Sequence, residues 1–351
     1  MKFIHAADIH LGASPDAGKS YSQKRAREIW NSFEKLLETC EAEKIDLLLI
    51  AGDLFHRQPL LRELKEVNYL FSKLTATQVV MIIGNHDYLK RDSHYHTFPW
   101  VSHVHVLTDS EVSYVELKNI KTAVYGASYH SREIYEKPYE KQYANRLQKY
   151  EILMVHGGDE KHTPIRKEEL LELGYDYIAL GHIHKYQEIL PGKIAYSGAL
   201  EPVDTNDVGP HGYIWGEMTN KGCQTKFIPF ASREYIQIDL EVTSQMTAYE
   251  LKELMGKSVK EKGIHNIFKV RLKGFKDPEM HYDKEMLDVY GNITSIEDDT
   301  RPAYNMEKIY LLNKDNILGG LIEELGSTAE NSIEYMALCE GVRALMETRK
   351  N

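Results

Sequence analysis

Seven side chains of metal-holding types recur in short clusters: Asp8 and His10 in DIH, Asp53 in GD, Asn85 in GNHD, His156 in HG, and His182 and His184 in GHIH. Side chains two apart on an extended segment point the same way, so Asp8 with His10, and His182 with His184, can each converge on one point. Imidazole and carboxylate donors without cysteine suit manganese, iron or zinc. Asp53, with its two oxygens, is well placed to bridge two ions. A pair of ions about 3.5–4 Å apart can activate a water, orient it in line and neutralise charge on a phosphoryl group. His86, beside Asn85, is of a type that can protonate a leaving alkoxide. Taken singly, each cluster reads as a polar turn or a surface histidine, and the chain has 16 histidines. The weight lies in the combination.

Each cluster follows a short apolar run. Residues 2–7 lead into Asp8, DLLLIA (46–51) into Gly52-Asp53, and VVMII (79–83) into Gly84-Asn85-His86-Asp87. ILMV (152–155) leads into His156, and YIAL (177–180) into Gly181-His182. Runs this short and this apolar read as strands buried on both faces, and the carboxyl ends of such strands form the rim where ligands sit in open α/β sheets. Between them, residues 24–44 carry Ile29, Trp30, Phe33, Leu36, Leu37 and Cys40 on one helical face, and 60–74 and 165–173 also read as helices. Residues 112–117 and 122–125 suggest a hairpin around 118–121, and 195–196, 213–217 and 225–228 suggest shorter strands. This is an α/β pattern: sheets covered by helices.

The pattern changes near Phe230. Residues 235–241 alternate at period two, as a half-exposed strand does. A helix is expected at 248–262, strands at 267–272 and 308–312, and helices at 316–325 and 332–347. The length of 351 residues also favours two domains. We expect one over residues 1–230 and a smaller α+β one over 231–351.

The net charge is −10, and 16 Lys and Arg against 22 Asp and Glu lie from position 231 onward, so neither part is basic. Contact with nucleic acid would rest on a local patch or on bound cations. No apolar run approaches the roughly 20 residues that span a bilayer. His5, Asp8 and His10 interrupt the stretch where a signal peptide is apolar. The three cysteines show no CxxC spacing. A cytoplasmic protein without a membrane partner is the expectation.

The ordered set DxH, GD, GNHD, HG and GHxH resembles the calcineurin-like metallophosphoesterase superfamily. The resemblance implies a two-sheet sandwich flanked by helices with a dinuclear centre at one edge. It implies one metal held by Asp8, His10, Asp53 and His184, and a second by Asp53, Asn85, His156 and His182, with His86 as the catalytic histidine. HAADIHLG, AGDLFHRQPL, GNHD running on to VHVL, GHIHK, and YSGALEP followed by GPHGY are similar to the SbcD-type nucleases and their relatives in break repair. That narrower resemblance implies manganese-dependent cleavage of DNA phosphodiesters, a homodimer, a partner ATPase of the SbcC type, and a capping role for residues 231–351. Many relatives have an aspartate where this chain has His56, a position outside the implied ligand set.

Three functions are weighed. A DNA nuclease and a phosphodiesterase or phosphatase for small nucleotides share the whole metal site, and the YSGALEP and GPHGY segments favour the nuclease. A non-catalytic scaffold would be expected to lack a ligand, whereas all seven, and His86, are present. His94, His96, His103 and His105 read as ordinary strand or loop residues. Lys137, Lys141, Arg146 and Lys149 lie among Tyr135, Tyr139, Tyr143 and Tyr150, an interleaving that could stack bases. The glutamates mixed among them favour a solvated helix. The last helix, 332–347, reads as packing rather than docking.

Overall fold

In a computed structural model, residues 1–326, 328 and 332–348 are described. The chain divides into two compact units, Met1–Ile236 and Gln237–Asn351. The first unit is a two-sheet sandwich flanked by helices. Strands β1 (Lys2–Ala6), β2 (Leu47–Ala51), β3 (Gln78–Ile82) and β4 (Val104–Leu107) pair in that order, all parallel. Helices α1 (Ser22–Ala42) and α2 (Leu61–Ser72) make two of the crossovers. The chain then builds a second sheet from β5 (Ser113–Leu117), β6 (Thr122–Gly126), β7 (Tyr150–His156), β8 (Tyr177–Gly181), β9 (Gln187–Leu190) and β10 (Ile194–Tyr196). Its order is β5-β6-β7-β8-β10-β9, with helix α3 (Lys167–Glu172) between β7 and β8. Finally β11 (Gly212–Thr219) returns to lie antiparallel beside β1, and β12 (Gly222–Pro229) closes that edge. Each sheet thus has four consecutive parallel strands, running to the β4 edge in the first sheet and central in the second.

The absence of polar alternation in β2 has a direct cause. Leu47 and Leu49 face the second sheet, packing with Val124, Ile152, Met154 and Tyr177. Leu48 and Ile50 face the other way, toward Ile29, Phe33 and Leu36 of α1 and Leu64, Val67 and Phe71 of α2. Both faces are covered, so every β2 residue is buried. Each of these large side chains contributes roughly 1.5–3 kcal/mol relative to exposure. On the outer face of the second sheet, Leu153, Val155, Ile178 and Leu180 pack with Leu170, Leu173 and Tyr175. The hairpin expected around 118–121 is formed, with Lys121 in the left-handed region (φ 53°) at its turn.

Strand β13 (Tyr235–Val242), which carries the chain across the boundary at Gln237, forms one sheet with β14 (Ile267–Lys276), β15 (Ile293–Asp298) and β16 (Arg301–Pro302). Helix α4 (Ala248–Lys262) begins with a capping box, Thr247 accepting from the amide of Glu250 while the Glu250 carboxylate takes the amide of Thr247. A single turn, α5 (Lys284–Leu287), precedes β15. The strand expected at 308–312 is instead helix α6 (Met306–Leu311). Its Ile, Tyr and Leu suggested a strand, but Asn305 caps the amide of Lys308, and Met306, Ile309 and Tyr310 meet one apolar cluster at helical spacing. Helices α7 (Ile317–Leu325) and α8 (Ile333–Glu347) supply Leu318, Ile322, Leu338 and Val342 to that cluster.

A second expectation fails at 137–149, which is irregular rather than helical. Pro138 lies within it, Lys141 and Arg146 have positive φ (59° and 56°), and Tyr139 is buried with its hydroxyl donating to the Pro164 carbonyl. The tyrosines therefore do not form a continuous stacking row. None of the described helices is long and apolar enough to cross a membrane.

Candidate metal centre

Asp8, Asp53 and Asn85 follow the C-terminal ends of β1, β2 and β3; His156 ends β7, and His182 and His184 follow β8. Parallel strands in both sheets thus deliver their ends to one place. The amide of Asp8 donates to the Gly52 carbonyl at 3.1 Å and that of His10 to the Asp53 carbonyl at 3.0 Å, fastening the first loop to the second. Asp8, His10, Asp53 and His182 all have positive φ, at 50°, 52°, 50° and 93°. Non-glycine residues rarely adopt that region, and such strain concentrates at functional sites. Gly84 is required by proximity. A Cβ there would lie 2.1 Å from Asp53 Oδ1 and 2.5 Å from the Asp53 backbone nitrogen.

All seven expected donors come together. His10 Nε2 and His184 Nε2 are 3.0 Å apart, and Asp8 offers an oxygen to the same group. Asn85 Oδ1 lies 2.9 Å from His156 Nε2 and 3.2 Å from His182 Nδ1. Asp53 stands between these sets, its Oδ2 being 3.4 Å from His156 Nε2 and 3.9 Å from His10 Nε2. That oxygen is buried yet accepts no well-formed hydrogen bond from any described residue. A buried carboxylate oxygen without a donor is costly unless a cation meets it, so the donor set fits divalent metal on both sides of Asp53. His86 is adjacent, its ring centroid 4.8 Å from that of His10. Its Nδ1 engages the His56 carbonyl at 3.1 Å, and its amide donates to Asp53 Oδ1 at 2.9 Å.

Facing carboxylates raise two of the histidines, while burial governs Asp8, His10 and His182. Burial lowers the basicity of His156, but the facing Asp53 outweighs it and brings the imidazole up to about 9. The same opposition at His184, with Asp207, Asp8 and Asp53 prevailing over burial, gives about 9. Burial dominates at Asp8, which is raised, at His10, which is held well below the ordinary histidine value, and at His182, lowered to about 4. Asp53 resists its own burial because His156 and His10 face it, and lies well below the usual carboxylate range.

Sequence reasoning missed the residues that brace this set. Asp207 meets His184 Nδ1 at 3.1 Å, and Asp159 Oδ2 meets His182 Nε2 at 2.9 Å. Asp87, fully buried, accepts from the amides of Gly84 and Phe55 and from the Tyr95 hydroxyl, fixing the GNHD turn. Burial, then the charge of Asp53, pushes its carboxyl up to about 7. His56, set aside from the ligands, places Nδ1 3.3 Å from His10 Nδ1. Three of the histidines set aside as ordinary strand or loop residues are engaged locally: His96 with the Lys90 carbonyl, His103 with that of Phe71, and His105 with Gln78 Oε1. His94 opens a short 3-10 turn that also contains His96.

Residues 1–186 match the calcineurin-like phosphoesterase family. Among curated relatives, the uncharacterized metallophosphoesterase YhaO of Bacillus subtilis is 28% identical over 78% of this chain and 72% of its own length. The DNA double-strand break repair protein Mre11 of Methanocaldococcus jannaschii is 29% identical over 59% of this chain and 58% of its own. The SbcD component of the nuclease SbcCD from Staphylococcus saprophyticus is 25% identical over 86% of this chain and 85% of its own. With more than half of its length matched, this chain belongs to the calcineurin-like phosphoesterase family.

Proposed function

We propose that the chain is a metal-dependent DNA nuclease that hydrolyses phosphodiesters during DNA end processing. The observation that carries the phosphoester chemistry is the buried Asp53 carboxylate between two histidine sets, its Oδ2 3.4 Å from His156 Nε2 and 3.9 Å from His10 Nε2. Asp8, His10, Asp53 and His184 hold one divalent ion; Asp53, Asn85, His156 and His182 hold the other. Manganese suits these donors. Bound there, such ions lower the pKa of water and neutralise phosphoryl charge. His86, with Nδ1 tied to the His56 carbonyl, keeps Nε2 for the leaving sugar oxygen.

Relatives named as a break-repair protein and as part of a nuclease support DNA as the substrate. An SbcC-type ATPase partner, a homodimer, a cytoplasmic location and a substrate-selecting role for residues 231–351 extend the same reading. The test is degradation of labelled single- and double-stranded DNA with Mn²⁺, beside hydrolysis of bis-p-nitrophenyl phosphate and a chelator control. Cleavage of both DNA and the ester, abolished by chelator, is expected. Turnover of the ester with DNA intact would assign the site to small nucleotides instead.

A further inference from the structure

The loop after β7 turns sharply within four residues. The amide of Gly158 donates to the His162 carbonyl at 2.8 Å, and that of His162 to the Asp159 carbonyl at 3.3 Å. Within the turn, Asp159 Oδ1 accepts from the amides of Lys161 and His162 at 2.8 and 3.0 Å, which fixes the carboxylate over the loop. His162 Nδ1 then lies 2.9 Å from both carboxylate oxygens, and His182 Nε2 lies 2.9 Å from Oδ2. The two rings face one another with centroids 4.5 Å apart and planes 38° apart. The three donor atoms all lie within 4.8 Å of one another.

A carboxylate accepting from His182 is explained by orientation of that ring alone, since ligating histidines commonly rest their second nitrogen on a carboxylate. That account does not explain why a second imidazole, His162, meets the same carboxylate at 2.9 Å and faces the His182 ring. We propose that Asp159, His162 and the Nε2 edge of His182 form a third divalent-cation site bordering the dinuclear centre. The proposal rests on the dinuclear reading, because His182 presents Nδ1 to Asn85 and Nε2 to Asp159.

Donor spacing suits a small cation. Bonds of about 2.0–2.1 Å in a tetrahedron place donors about 3.3 Å apart, so the 2.9 Å contacts open by a few tenths of an ångström to admit one. The Asp159 side chain is 49% exposed while those of His162 and His182 are 18% and 14%, which leaves the carboxylate side open to water and to entry. Two imidazoles with one carboxylate bind zinc more tightly than manganese. Occupation displaces the proton from Nε2 of His182 to solvent and leaves that ring bridging two ions. The site fills after the dinuclear one and restrains turnover, because His182 is then shared.

The experiment uses the full chain, stripped with chelator and dialysed against Zn²⁺, with bound metal counted by mass spectrometry. Circular dichroism checks the fold of His162→Ala and His162→Gln. Wild type is expected to hold about three ions per chain and both variants about two, with inhibition by excess Zn²⁺ relieved in the variants. Two ions in wild type and variants alike would overturn the third site and leave the dinuclear reading standing. Three in all proteins would place the extra ion elsewhere and also overturn it. One or none in wild type would overturn the dinuclear reading itself.

Discussion

The carboxylate of Asp207 lies 3.1 Å from Nδ1 of His184, while Nε2 of that same ring meets His10 at 3.0 Å. The contact fixes which nitrogen of His184 is free to bind metal. Asp207 is itself held by the amides of Val203 and Asp204 at 2.9 and 3.0 Å, so its position does not depend on the histidine. Removing such a partner typically costs 10–100-fold in metal affinity. Asp207→Ala should therefore weaken Mn²⁺ binding by about that factor in isothermal titration. Affinity unchanged from wild type would show that Asp207 serves only the loop.

His86 and Asp53 should separate chemistry from binding. His86 has its Nδ1 on the His56 carbonyl and lies outside the Asp8–His10–His184 and Asp8–Asp53–His156 groups, its own neighbouring donors being His10 and His56. His86→Asn is expected to keep its metals and to lose roughly 10²–10⁴-fold in turnover, the usual contribution of a positioned acid. Asp53→Ala removes the carboxylate shared by both sets and should lose metal and activity together. The check is metal content beside ester hydrolysis; a fully active variant at either position would refute its role.

The candidate donors were legible because each follows a short, mainly apolar strand, and β2, like β3 beyond Gln78, is apolar throughout because both of its faces are covered. Asp159 and Asp207 were not legible. Each lies in an irregular loop and meets a histidine 23 residues away, a distance no helical or strand period encodes. A weak signal existed, since HGGDEKH places an aspartate and a second histidine just after His156. The segment 308–312 misled because strand-favouring residues were read without Asn305, whose cap starts the helix. At 137–149 the charge pattern suggested a solvated face, but Pro138 and the burial of Tyr139 decide the backbone.

Arg25, from α1, is fully buried and donates to Glu201 Oε2 at 3.1 Å and to the Pro202 carbonyl at 2.8 Å. Glu201 is equally buried and also accepts from Ser32 and from the amide of Ser232. Breaking such a pair leaves a charge unpaired in the interior. Arg25→Met should destabilise the protein by about 3–5 kcal/mol, whereas replacing both charges with apolar residues restores much of that. Denaturant unfolding of Arg25→Met and of Arg25→Met with Glu201→Leu measures it. A single variant as stable as wild type would show that the buried charge is not confined there.

His5, on β1 and fully buried, sets a pH dependence distinct from that of the metal donors. Burial lowers its imidazole from the ordinary 6.5 to about 3, against an opposing hydrogen bond with the Leu180 backbone. Its Nδ1 meets the Tyr177 hydroxyl from β8 at 3.0 Å, between the two sheets. The unfolded chain takes up this proton near 6.5 and the folded chain only near 3, so through that interval the unfolded state binds more protons. Acid then favours unfolding: the contribution is absent above about pH 6.5 and costs at most roughly 1.4 kcal/mol for each pH unit below it. Chelator-treated wild type and His5→Gln, which keeps a partner for Tyr177, should therefore converge in thermal midpoint as pH falls from 7 toward 5, the wild type losing more. Curves that stay parallel across that range would mean the ring is protonated in the fold, and the neutral packing between the sheets would have to be abandoned.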